Sequence, residues 1–131
     1  MTTDELTAAL NACAAGLYPL EAGVALLIAE GTFLRRDDFT TRFIEHGTSS
    51  GAAMASIDWD SVITALHAGE LPCSAGERRV LLLSASLAGG IPVDLRDAAT
   101  GLDDRNIQRL VTAILHASGK RPNPRDIDDH L

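Results

Sequence analysis

Aromatic side chains are scarce in this chain: Trp59, Tyr18, Phe33, Phe39 and Phe43 are the only ones among 131 residues. A core made from this sequence is therefore aliphatic, drawn from Leu, Ile, Val and Ala, within a hydrophobic total of 46%. Cysteine is as sparse. Cys13 and Cys73 form neither a metal-spaced pair nor a disulfide framework, a usage that fits a reducing cytoplasm. Long apolar runs are missing too: the longest, Ala22 to Ala29, is eight residues between Glu21 and Glu30, too short for a membrane span. The first residues lack the basic start of a secretory signal. Lysine occurs once, as Lys120, against ten arginines; with abundant Ala, Gly and Asp, that bias points to a GC-rich bacterial genome. These scarcities exclude the membrane, secreted disulfide-rich and fibrous classes.

What is present suits one globular domain. At 131 residues the chain is able to bury roughly two thirds of its unfolded surface without staples. Charge is unevenly spread. Residues 1–73 hold three basic and ten acidic side chains, residues 74–125 hold eight basic and five acidic, and Asp126, Asp128 and Asp129 follow. An acidic front half repels a polyanion, so the net charge of −7 disfavours nucleic acid as a partner of the whole molecule.

Periodicity predicts an all-α fold, a compact bundle of six or seven short helices in a single domain over residues 1–121. A first helix from Thr3 to Leu17 turns Leu6, Ala9, Leu10, Cys13 and Leu17 inward, and Thr2 with Glu5 has capping-box spacing. Pro19 suits the first turn of a second helix that ends at Gly31. A third runs from about Arg36 to His46, with Phe39, Phe43 and Ile44 inward and Gly47 as a left-handed cap. The stretch 47–56, GTSSGAAMAS, reads as a loop or hinge. Asp58 caps a fourth helix carrying Trp59, Val62, Ile63 and Leu66 inward. Ser74 and Glu77 open a fifth, apolar nearly all round from Val80 to Ala88, the central core helix. A short turn spans Asp94 to Thr100. Asp103 or Asp104 then caps the best-patterned helix, with Ile107, Leu110, Val111, Ile114 and Leu115 as its stripe. Residues 122–131 are expected to be an extended or disordered tail.

Two segments resemble known families. CSAGERRVLLLSASLA (Cys73 to Ala88) is similar to the signature segment of ABC-type ATPases, in which an LSGGE-like turn opens a helix facing a nucleotide phosphate. RDAATGLDDRN (Arg96 to Asn106) resembles that family's stretch after the Walker B strand. The resemblance implies an ATP-dependent enzyme. A phosphate-binding loop ending in Gly-Lys-Ser/Thr is missing, however, and Ala98 stands at the position of the catalytic glutamate. Ser74 and Glu77 have the simpler reading of a helix cap. GLDDRNIQRLV (Gly101 to Val111) resembles the turn and recognition helix of bacterial helix-turn-helix regulators. That resemblance implies DNA binding by the 94–118 segment, with Arg105, Asn106, Gln108 and Arg109 facing outward. Asp97 stands where such a motif wants a small apolar residue, and Asp103 and Asp104 would approach phosphates.

No catalytic, cofactor or metal constellation stands out. His46, His67 and His116 fall at helix ends, where a cation complements the dipole. Cys73 precedes a helix whose positive end favours a thiolate, but no neighbouring base is apparent. Acid pairs such as Asp37/Asp38 and Asp58/Asp60 fit helix N-termini as caps. More apolar helix surface is present than one small bundle covers. The expectation is a small cytoplasmic, non-enzymatic interaction or regulatory protein working through protein–protein contacts or self-association as a homodimer, without cofactor, metal or membrane. Its contacting residues are expected to be Arg78, Arg79, Arg105, Asn106 and Arg109; the alternative is the helix-turn-helix DNA binder.

Overall fold

Capping chemistry sets most helix starts in the computed structural model, which describes residues 1–120. The Thr2 hydroxyl accepts from the Glu5 N–H at 3.1 Å while Glu5 accepts from the Thr2 N–H at 3.3 Å, and this box opens α1 (Thr3–Ala14). Pro19 lies in the first turn of α2 (Tyr18–Glu30), which Gly31 ends with φ 84°. A 3₁₀ turn (Phe33–Arg35) leads into α3 (Asp37–Phe43). Asp58 caps α4 (Trp59–His67) through the Ser61 N–H. Ser74 and Glu77 form a second capping box on α5 (Ala75–Gly89). Asp94 and Asp103 cap α6 (Leu95–Thr100) and α7 (Asp104–Ala117). Such caps satisfy backbone donors that have no partner inside the helix.

The molecule is mostly helical but not purely so. Ile44–Ser49 (β1) and Ala52–Ile57 (β2) pair antiparallel, with Ile44 opposite Ile57 and Ser49 opposite Ala52. Ser50 and Gly51, at φ 53° and 80°, make the two-residue turn between them, and positive φ at both positions matches the right-handed strand twist. The stretch 47–56, expected as a loop or hinge, is thus most of a hairpin. The third helix stops at Phe43 instead of His46, and Gly47 is a strand residue opposite Met54, not a left-handed cap. Burying Ile44, Ala55 and Ile57 against α1 outweighs the weak strand propensity of Gly, Ala and Ser.

α2 and α5 form the spine. They approach so closely at Gly23 that a Cβ there would lie 2.5 Å from the Ala88 Cβ and 2.6 Å from the Ser84 carbonyl oxygen. Apolar clusters lie on both sides of this pair. One gathers Leu10, Phe33, Phe39, Phe43, Trp59 and Val62 from α1, the 3₁₀ turn, α3 and α4. The other gathers Ala98, Leu110 and Ala113 from α6 and α7. The spine serves both: Val24, Leu27, Leu81 and Ala85 face the first, Ala22, Leu26, Val80 and Leu83 the second. The central position expected for Val80 to Ala88 follows from this double duty.

Some residues expected inside are outside. α1 ends before Leu17, which is 59% exposed, and Cys13 is also exposed. On α7 only Leu110 and Ala113 are buried; Ile107 and Leu115 are half-buried, and Val111 and Ile114 are 51% and 48% exposed. No helix among the described residues is long and apolar enough to cross a membrane. The tail expected at 122–131 lies outside the described residues.

Candidate functional site

α7 lies antiparallel along α2. His116 in its last turn meets Glu21 in the first turn of α2, Nε2 to Oε1 at 2.7 Å, and Tyr18 packs edge-on to the same imidazole with centroids 6.1 Å apart. Glu21 also accepts from the Gly16 N–H at 2.9 Å, which ties the α1–α2 turn to this corner. From there an open groove of about 400 Å³ runs between the helices toward Ala29 and Arg105. That volume lies within the range of ordinary ligand and peptide clefts.

The groove's shape follows from residue size. Ala22, Ala25 and Ala29 recur at three- and four-residue steps on α2; Ala22 is buried, and the exposed Ala25 and Ala29 present only methyl groups to the groove. Ala113 continues that shallow floor onto α7, and Leu26 closes it underneath. The α7 wall is polar: Arg105, Gln108, Arg109, Thr112 and His116. Arg105 and Arg109 stand one helical turn apart on the same face. Arg109 Nη1 donates to Asn106 Oδ1 at 3.1 Å, so Asn106 braces the neighbouring guanidinium. Neither arginine has a carboxylate within salt-bridge distance among the described residues. Two cations over an apolar floor attract an anionic, partly apolar ligand.

Of the five residues singled out from the sequence, the structure brings Arg105 and Arg109 into one groove, with Asn106 behind them. Arg78 and Arg79 are differently engaged. Arg78 reaches the Leu66 carbonyl at 3.5 Å and lines a separate depression with Asp94 and Asp97. Arg79 donates to the Gly101 carbonyl at 3.4 Å and fills the space where a Gly101 side chain would stand. It braces the α6–α7 turn.

The segments with family resemblances are also located. The ABC-like Cys73 to Ala88 is the capped start and body of α5, and the Ser74 hydroxyl already occupies the Glu77 N–H that would face a phosphate. Asp97 lies within α6, where the resemblance implies the end of a strand. The helix-turn-helix-like segment is α6, the turn Gly101–Asp103 and α7. Its polar face lines the open groove beside α2, with Arg105, Gln108 and Thr112 exposed there, and the aliphatic Val111 and Ile114 are exposed as well.

The shift at Cys73 runs opposite to the one a helix N-terminus favours. Burial raises its pKa, the Glu77 carboxylate adds to the rise, and the guanidinium of Arg36 opposes it. Among the described residues, no group of three or more His, Cys, Asp or Glu is placed to hold a metal ion. The Glu21–His116 contact was not foreseen, because nothing in one sequence links positions 95 residues apart. The alanine spacing on α2 was a readable signal of a shallow face. Comparison with protein-family models, with curated proteins and with solved structures finds no match to this chain.

Proposed function

We propose that this chain is a small non-enzymatic interaction or regulatory protein that works through protein–protein contacts, with α7 as its contact helix. The observation that carries the reading is the pair Arg105 and Arg109, without a carboxylate partner among the described residues, over the open, alanine-floored groove beside α2. Surface arginines beside a desolvatable apolar floor are the residue type most enriched at protein contacts. The outer edge of α7, with Val111 and Ile114 half exposed, supports self-association as a homodimer within the same reading. The cytoplasmic setting and bacterial origin expected from the two cysteines and the arginine bias belong to it as well.

DNA binding is the alternative, motivated by the short α6, the three-residue turn and the arginines of α7. The carboxylates of Asp103 and Asp104 at the start of α7 oppose it. Photo-crosslinking inside cells of the source organism separates the two. A photoreactive residue at Thr112 is expected to give a discrete protein adduct, and one at Val111 an adduct of twice the chain mass. The same group at exposed Thr64 on α4 is the control. Adducts to nucleic acid alone, or adducts no different from those at Thr64, overturn the reading.

A further inference from the structure

We propose that the groove between α2 and α7 receives an acidic amphipathic helix of a partner protein. Carboxylates one turn apart on that helix pair with Arg105 and Arg109, and its small and aliphatic side lies on the exposed Ala25 and Ala29. The inference rests on the protein-contact reading and specifies what is contacted.

Geometry argues for a helix. The exposed floor runs from Ala25 to Ala29, one helical turn of about 6 Å, and the two arginines opposite span the same single turn. Helices pack at about 8–10 Å between axes, at the near end of that range where the facing side chains are small. The methyl groups of α2 therefore admit a third helix against the α2–α7 pair. Helical spacing also explains the charge match. Arg105 and Arg109 sit at i and i+4, so a partner helix with Glu or Asp at i and i+4 aligns two ion pairs without distortion.

Charge chooses the sign of the partner. The two guanidinium groups lack internal carboxylate partners among the described residues, whereas Arg36 and Arg42 are each paired at 2.6 Å. At the opposite end of the groove Glu21 is engaged with His116 and with the Gly16 N–H. Arg105 and Arg109 therefore mark the Ala29 end as the place where the acidic turn of the partner docks. Asp103 beside them is turned to the Asn106 N–H as the α7 cap, and a short acidic turn meets fewer of the α7 carboxylates than a continuous polyanion does.

Fluorescence anisotropy on the full chain tests this, using a labelled peptide of about 18 residues, long enough to hold helix. It carries Glu pairs at i and i+4 on one side and Ala and Leu on the other. A counterpart carries Lys for Glu, and a random-sequence DNA duplex is the third probe. The acidic peptide is expected to bind and the Lys peptide not. Arg105→Glu/Arg109→Glu should weaken binding at least about tenfold, with an unchanged circular dichroism spectrum and melting temperature. Ala25→Trp, which fills the floor and leaves both charges, should also abolish it. Equal binding of the Lys peptide, or binding indifferent to both variants, overturns the acidic-helix inference while the protein-contact reading stands. Binding of duplex alone overturns both, and binding of no probe overturns the inference.

Discussion

On one side of the α2–α5 spine lie three phenylalanines, Trp59 and the aliphatic faces of α1 and α4. On the other, α6 and α7 contribute two alanines and Leu110 as their fully covered side chains. The first cluster interlocks its rings, with Phe39 between Phe33 and Phe43 at centroid distances of 5.4 and 5.3 Å. The second contains no ring. Ion pairing divides in the same way. Arg36 grips Asp38 with two nitrogens and the Pro72 carbonyl with a third, and Arg42 pairs with Glu70. Arg105 and Arg109 have no carboxylate partner among the described residues. One half of the molecule saturates its own chemistry, and the other leaves cations and aliphatic surface available. Dense packing and uncommitted cations thus lie on different sides of the same two helices.

The sharpest way to break this contrast is Phe39→Ala, which empties the centre of the ring stack. It should cost about 4 kcal/mol of global stability, read as a lowered denaturant midpoint with all amides losing protection together. Leu110→Ala, in the thinner cluster, should cost about 2 kcal/mol, because alanine neighbours leave less packing to lose. Its signature is regional: native-state hydrogen exchange should speed up in α6 and α7 while α1 and α4 keep their protection. A global loss equal to that of Phe39→Ala would contradict the division into a dense and a thin cluster.

Acid provides the gentlest test. Backbone N–H groups hold the Glu5 and Glu77 carboxyls below their ordinary range, and the Ser61 hydroxyl and N–H do the same for Asp58. Since these pKa values are lower in the folded state, their contribution is complete above the unfolded values of about 4 and is lost as pH falls through the folded ones. Melting temperature should therefore hold from pH 7 to about 5 and fall below pH 4. Glu77→Gln, whose amide oxygen still accepts from the Ser74 N–H, should shrink that fall. An unchanged acid profile would remove the α5 capping box from the pH-sensitive groups.

Much of the helical frame was legible because caps are local. Thr2 with Glu5, Ser74 with Glu77, Asp58, Asp103, Gly31 and Gly90 announce helix ends within four residues, and each acts as its spacing suggests. The hairpin was hidden for the opposite reason. Only Ile44, Ala55 and Ile57 turn inward, so no alternation of large and polar residues marks the strands, and Ser50-Gly51 resembles any small-residue turn. Half of the groove was visible as the arginines of α7. Its other half lay in Ala22 to Ala29, whose apolar run reads as core although Ala25 and Ala29 are exposed. Which helix faces which is decided by packing across some 95 residues, and a single sequence carries no trace of that pairing.

The clasp between Glu21 and His116 has a consequence for biosynthesis. Its two halves emerge from the ribosome 95 residues apart: α2 first, and α7 after every other helix described. Domains and their parts condense in the order in which their contacts become available. The ring-filled cluster, closed by α5, can assemble while α7 is still being synthesised. Until α7 docks, α2 shows its alanine face to solvent with no arginines opposite. A nascent chain that stops short of α7 lacks the groove, which is complete only with the last of the described helices.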